Sequence, residues 1–528
     1  MSDEQTGAKR AFVLGLDGVP WGKLNDWIDE GHLPNFERLR ASGVSSACES
    51  TMPPNTALAW PSIATGVWPD THGVYGFRRV TSEYGHEMCT SRDVDYPTLW
   101  EQVRPAVVAN VPMTYPATEI DGELVSGMIS PEMNEQFTHP PALCQRIREE
   151  IPDYEIGLTW SEYTDRPEAF LAALEGHVTA RRELMRLLME RDDWRLFFFV
   201  YTAPDRLQHL HWDETVLVDH YQTLDEILGE VMAYTEERGA NLFVVSDHGF
   251  GPSEKRISVN RLLEREGYLK RRDTEGVRKL LASAGLQKDD VLSMLEAVGV
   301  TEKRLLRYLP DRLVETAARQ VPGSHILFDV DFSRTQGFVH GSGCVYVNDT
   351  DRFENGVVDP NERDRVKTEL AEVFSTYTDP DTGTTVLQVF DGDRLFEKDE
   401  RSPDLIVRPV PGYSKAVGLN EQVVSPLEPH DVSANHRREG IFFAAGPSIT
   451  PDTTLESSAV VDVAPTVLHS LGDPVPASAD GQVLTNIFST RTPVTRRAVA
   501  TPEAADGDGT GDDFEGVEER LRGLGYLN

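Results

Sequence analysis

The sequence predicts a three-layer α/β fold with a mostly parallel sheet and a smaller inserted α+β body. Three observations predict it. Short, almost wholly apolar runs at residues 11–16, 194–201, 241–246 and 440–447 read as strands buried on both faces. Stretches with helical periodicity at 21–40, 167–190, 214–238 and 461–471 alternate with them, as in a sheet covered on both sides. From 252 to 403 that alternation gives way to a charged helical stretch (262–319) and separate strand signals at 337–348 and 384–388. The expected division is a core of residues 8–251 and 404–492 and an inserted cap of 252–403 that shapes a substrate pocket. An acidic flexible linker of 493–513 and a docking helix of 514–528 complete it.

In chain order, the 11–16 run ends at Asp17-Gly18, placing an acid at the carboxyl end of a buried strand. In open α/β sheets that end is where ligand sites gather. The helical stretch 21–40 follows, then a loop near Thr56, a strand at 106–110 and the helix at 167–190. The 194–201 strand runs into Thr202-Ala203-Pro204-Asp205-Arg206-Leu207-Gln208-His209. Helix 214–238 leads to the 241–246 strand, which ends in Asp247-His248-Gly249. Strands at 404–407 and 440–447 and the 461–471 helix resume the core after the insertion. The terminal helix is expected to dock back through Leu521 and Gly525-Tyr526-Leu527.

Charge limits the partners. Acidic residues outnumber basic ones by 87 to 51, a formal charge of −36, which repels a nucleic-acid polymer over most of the surface. Only ten lysines stand against 41 arginines, and excess acid with little lysine suits a salt-rich solvent that screens self-repulsion. A halophilic protein is expected. Cys48, Cys89, Cys144 and Cys344 include no C-x-x-C pair and read as isolated reduced thiols. The polar start Met1-Ser2-Asp3-Glu4-Gln5 is unlike a secretory signal, and no apolar run reaches the length of a membrane span. A cytoplasmic location with no membrane partner is the expectation.

The chemistry centres on Pro53-Pro54-Asn55-Thr56, where loop turns into helix. Thr56 has two readings. It caps the helix, or it is a nucleophile beside a phosphate that the first helical N–H groups receive, provided a metal lowers its pKa. Pro61 leaves the helix start open too. Starting at Thr56 puts proline in the second turn, where an interior proline costs about 3 kcal/mol; starting at Trp60 makes Pro61 the first helical residue. Acids and imidazoles stand at the predicted strand ends: Asp17; Asp205 with His209; Asp247 with His248; and His436 in Ala434-Asn435-His436-Arg437. Asp205 and His209, four apart, share one face of a helical turn. Carboxylate plus imidazole is a ligand set that zinc takes and that manganese or iron accept. Each alone reads equally as a turn aspartate or a satisfied core histidine. Four together, beside a hydroxyl, favour a metal site.

Leu16-Asp17-Gly18, the Thr56 to Gly66 stretch with Pro69 and His72-Gly73, Pro204-Asp205-x-x-x-His209, Ser246-Asp247-His248-Gly249 and His436-Arg437-x-Glu439-Gly440 stand in order. Their order and approximate spacing resemble the alkaline phosphatase superfamily, and within it the type I phosphodiesterase/nucleotide pyrophosphatase family. The resemblance covers about residues 10–250 and 400–490. It implies an alkaline phosphatase-like core holding two divalent ions, zinc in most members, with Mn2+ the other candidate. Asp205, His209 and His436 would hold one ion; Asp17, Asp247, His248 and the Thr56 oxygen would hold the other. Such ions, roughly 4 Å apart, clamp the attacking and leaving oxygens of an in-line displacement. It further implies attack by Thr56, a phosphothreonine intermediate and its hydrolysis by water. The implied substrates are small phosphate diesters or nucleotide pyrophosphates. A phosphomonoesterase or phosphotransferase of the same superfamily, or a non-catalytic binding protein keeping the fold, are the alternatives. One departure stands out: Phe77 falls where members often carry an asparagine that donates to a phosphoryl oxygen, so that donor is either missing or supplied from elsewhere, by Asn55 or Arg78. Cys89-Thr90-Ser91-Arg92 faintly resembles the sulfatase signature, but it lacks that signature's proline and reads as an ordinary loop.

Overall fold

The strand Ala11–Leu16 sets the layers. The computed structural model describes residues 9–159, 163, 166–272, 329–397, 401–427, 433–499 and 514–523. Successive side chains of a strand point to opposite faces, and here both faces are covered. Phe12, Leu14 and Leu16 join a core with Trp27, Phe36, Leu174 and Tyr221, from helices Trp21–Asp29, Pro34–Ser42, Pro167–Met189 and Glu214–Glu237. Ala11 and Val13 join a second core with Trp60, Ile63, Val463 and Val467, from helices Thr56–Thr65 and Val463–Leu471. The three-layer α/β expectation therefore holds.

The central sheet has nine strands in the order Ser458–Ala459, Val44–Glu49, Glu439–Ala445, Asn241–Val245, Ala11–Leu16, Leu196–Tyr201, Ala106–Ala109, Gly122–Val125 and Thr138–His139. The run from Asn241–Val245 to Gly122–Val125 is parallel throughout, while Glu439–Ala445 and Thr138–His139 pair antiparallel. Asn241–Val245, Ala11–Leu16 and Leu196–Tyr201 are immediate neighbours, so their carboxyl ends lie side by side.

Gly15 shows how closely the helix carrying Thr56 packs on that sheet. A Cβ built there would overlap the Trp60 ring and lie 2.8 Å from a Val200 methyl. Gly15→Ala is expected to destabilise the protein by about 1–3 kcal/mol through overpacking. A lower denaturation midpoint checks this; an unchanged midpoint would contradict the packing described.

Two local expectations are corrected and one open reading is decided. The 21–40 stretch is two helices, because the chain leaves the helical path after Asp29 and re-enters at Pro34, whose ring suits a first turn and not an interior. The helix near Thr56 starts at Thr56, not Trp60, and carries Pro61 inside. Its cap is Asn55, whose Oδ1 accepts from Ala57 N at 3.0 Å, so Thr56 is not the capping residue. Finally, Leu405–Pro409, expected to resume the core, pairs in a smaller sheet ordered Gly337–His340, Cys344–Val347, Leu405–Pro409, Leu387–Asp391. An apolar run signals a buried strand but not which sheet receives it.

That smaller sheet packs with helices Val259–Glu266 and Arg363–Thr376 around Leu263, Phe338, Val345, Leu370 and Ile406. Most of the expected helical stretch 262–319, residues 273–319, lies outside the described residues, as do linker residues 500–513 and Gly525-Tyr526-Leu527. The terminal helix Glu515–Gly523 seats Val517 and Leu521 against Ala57, Leu58, Phe77, Met113 and Tyr115. All four cysteines are buried and unpaired. Among the described residues no helix is long and apolar enough to cross a membrane.

Candidate metal centre and nucleophile

Three adjacent strands deliver three acids. Asp17 follows Leu16, Asp247 follows the Asn241–Val245 strand, and Asp205 opens the helix Ala203–Leu210 after Tyr201. His209 lies one turn along that helix, its Nε2 3.5 Å from Asp205 Oδ1. His436 arrives on Ala434–Arg437, an antiparallel partner of Gly249–Ser258 in which it stands opposite Phe250. Phe250 lies edge-on to both His209 and His436, at 4.8 and 5.2 Å between ring centroids.

These residues form two clusters, each with one ligand-type atom per side chain within 4.8 Å of the others. In the first, His436 Nε2 is 3.2 Å from Asp205 Oδ1 and 3.0 Å from His209 Nε2. In the second, His248 Nε2 is 3.2 Å from Asp247 Oδ2 and 3.6 Å from Asp17 Oδ1. The two adjoin: His248 Nε2 is 3.9 Å from Asp205 Oδ1, and the His248 and His436 rings stack at 3.8 Å. Thr56 Oγ1 sits at the second cluster, 3.2 Å from His248 Nε2 and 3.5 Å from Asp17 Oδ1. All seven sequence-predicted ligand residues are thus brought together.

The surrounding hydrogen bonds fix how these groups point. His248 Nδ1 lies 3.1 Å from Gly249 O and His436 Nδ1 lies 3.1 Å from Pro54 O. A carbonyl only accepts, so each Nδ1 carries the proton and each Nε2 turns a lone pair into the site. Trp60 Nε1 donates to Asp17 Oδ2 at 3.0 Å, and Gly18 N donates to Asp247 Oδ1 at 3.1 Å. Ser246 Oγ braces the turn, donating to His248 O and accepting from Val19 N. Asp247 Oδ2 is buried and receives no hydrogen bond among the described residues. In the second cluster two carboxylate oxygens and an imidazole lone pair therefore converge on one place. A cation resolves that convergence, so the residues fit a metal ion.

The electrostatics agree. Burial, then the Asp247 and Asp205 charges, pushes the Asp17 carboxyl well above the usual range; burial and Asp205 do the same to Asp247. Burial also raises Asp205, but His209 and His436 outweigh it and hold its carboxyl well below. Burial, helped by the nearby His436, keeps His248 neutral. An entering cation competes with protons for the Asp17 and Asp247 carboxyls, so its uptake weakens in acid.

Asn55 and Arg78 lie differently. Asn55 caps the Thr56 helix and sends Nδ2 to Ser342 Oγ at 2.8 Å. Arg78 is buried, 3.6 Å from Glu518 on the terminal helix. Sequence reasoning missed Trp60 as the residue that orients Asp17. Its position four after Thr56, on the same helical face, was the available signal. Pro54 O and Ser342 carried none, since neither a carbonyl nor a hairpin serine stands out in a sequence.

A parallel sheet with acids and imidazoles at adjoining carboxyl ends and a helix-borne hydroxyl among them defines the alkaline phosphatase superfamily class. The chain belongs to the type I phosphodiesterase/nucleotide pyrophosphatase family, whose profile matches residues 11–436. The fold is similar to murine ectonucleotide pyrophosphatase/phosphodiesterase 5, an inactive threonine-to-alanine variant in complex with AMP, at 13% identity and TM-score 0.51 over 91% of this chain and 100% of that one. It is similar to the human form at 12% identity and TM-score 0.52, with the same coverage of 91% and 100%. It is also similar to phosphonoacetate hydrolase from Sinorhizobium meliloti 1021 in complex with phosphonoformate, at 16% identity and TM-score 0.53, covering 88% of this chain and 95% of that one. No curated protein matches the sequence.

Proposed function

We propose that this chain hydrolyses phosphate diesters or pyrophosphate-type bonds of small molecules, nucleotides among them, through Thr56 and two divalent cations. The observation that carries the reading is the Thr56 hydroxyl 3.2 Å from His248 Nε2, at the edge of two adjoining ligand clusters. A structural neighbour inactivated by a threonine-to-alanine change and seen with AMP supports the choice of nucleophile and of a nucleotide-like substrate. Asp205, His209 and His436 would hold one cation and Asp17, Asp247, His248 and Thr56 the other. When bound, the pair supplies a lowered hydroxyl pKa and neutralises charge on the leaving oxygen.

The chain's own residues do the rest. Trp60 and Gly18 hold Asp17 and Asp247 in place, and Gly249 O and Pro54 O fix the tautomers of His248 and His436. Thr56 Oγ1, buried and faced by acceptors, gives up its proton to solvent and attacks phosphorus in line with the leaving oxygen; the Oγ1–P bond forms as the P–O bond to the leaving group breaks, and the leaving oxygen takes a proton from solvent. Water then attacks the phosphothreonine, Thr56 recovers its hydroxyl, and the phosphoryl group leaves on the water oxygen. Asn55 holds the helix end that carries Thr56.

Turnover of bis(4-nitrophenyl) phosphate against 4-nitrophenyl phosphate, with zinc or manganese supplied, tests the reading. Faster diester cleavage, abolished by a chelator and restored by added metal, is the expected result. Preference for the monoester would favour the phosphomonoesterase alternative, and turnover untouched by chelation would contradict the metal dependence.

A further inference from the structure

The smaller sheet reaches into this site through one hairpin. Gly337–His340 and Cys344–Val347 pair antiparallel, and Gly341-Ser342-Gly343 joins them. Gly341 and Gly343 have φ of +53° and +102°, a conformation that favours glycine. A Cβ on Gly343 would also strike Val407 O, so the tip is built tight. It holds Ser342 against the residue preceding Thr56, with Ser342 Oγ 2.8 Å from Asn55 Nδ2. The amide donates in that bond, because an –NH2 has no lone pair to offer. Ser342 therefore accepts, and its own proton meets no acceptor among the described residues.

Lys415, on the strand Gly412–Ala416, flanks the same tip; its Cε would lie 3.5 Å from a Cβ on Gly343. Lys23, Lys255 and Lys367 pair with Glu214, Asp379 and Asp391, but no carboxylate pairs with Lys415 among the described residues. The titratable neighbour is the Cys344 thiol, which burial pushes up to about 12 and so keeps neutral. Lys415 is half-buried, and burial pulls its ammonium down to about 8 with no carboxylate to offset it. In a chain of formal charge −36, a hydroxyl donor and an unpaired ammonium share one hairpin tip beside the nucleophile helix. Donors without acceptors suit an anion.

We propose that Ser342 and Lys415 form a second anion subsite that receives a phosphoryl or similar anionic group next to the one Thr56 attacks. The inference rests on the preceding reading of the Thr56 site and narrows its substrates to those with two adjacent anionic groups. Lys415 would bind the group that is not transferred, with Ser342 fixing its orientation.

The test compares binding of methylenediphosphonate and methylphosphonate to the metal-loaded full chain by calorimetry, at one fixed salt concentration. The wild type is expected to favour the diphosphonate by about tenfold or more, the worth of one charge-assisted contact. Lys415→Met and Ser342→Ala should each shrink that preference, and Lys415→Arg should keep it, while retained methylphosphonate binding shows that each variant is folded. An unchanged preference in Lys415→Met and Ser342→Ala, or none in the wild type, overturns the subsite. Turnover of bis(4-nitrophenyl) phosphate by the same wild-type preparation reads the Thr56 site separately, so failure of one reading is not mistaken for failure of the other.

Discussion

Thr56→Ala is expected to lower kcat by at least about 10³-fold, the scale on which enzymes lose rate when a covalent nucleophile is removed. The same variant should keep its metal, because Asp17, Asp247 and His248 still present their ligand atoms. It should also stay folded: Asn55 Oδ1 caps the helix through Ala57 N whether or not position 56 bears a hydroxyl. Rapid quenching of the wild type with a radiolabelled diester should trap phosphate on Thr56. Retention of full activity in the alanine variant, or label on another residue, would remove Thr56 from the chemistry.

The second large effect concerns the ligands. His209→Ala opens the first cluster and Asp247→Ala the second. Each should weaken metal binding by about 100-fold or more, since changes even to residues that only support ligands cost 10–100-fold. Elemental analysis after dialysis checks this, and activity should fall with metal content. The two variants differ in a further way. Asp247→Ala removes one of the two carboxylates, with Asp205, whose charges raise Asp17, so Asp17 should become easier to ionise. His209→Ala removes a group that holds Asp205 down, leaving that buried acid less compensated. Unchanged metal content in either variant would contradict the assignment of that cluster.

Much of this site is visible in the sequence for a simple reason. Parallel strands buried on both faces are almost wholly apolar, so an acid placed directly after one, as at Asp17 and Asp247, stands out. Asp205 and His209 are visible through helical spacing. Strand order is not visible: nothing in the chain says that 241–245, 11–16 and 196–201 are neighbours, and that adjacency is what gathers three acids. The Thr56 helix was ambiguous because Pro61 argues for a later start. Asn55 at the cap and complete burial of the helix override that preference. The Leu405–Pro409 strand was assigned to the wrong sheet because pairing partners, which local apolarity does not encode, decide membership. Ser342 shows the same limit at the site itself, since only the fold brings residue 342 to residue 55.

The measurement closest to the central claim is anomalous diffraction from crystals of the full chain loaded with zinc or manganese. Two peaks about 4 Å apart are expected, one among Asp205, His209 and His436 and one among Asp17, Asp247 and His248 with Thr56 Oγ1 turned toward it. A cluster without a peak at saturating metal, or Thr56 turned away from an occupied site, would contradict the account.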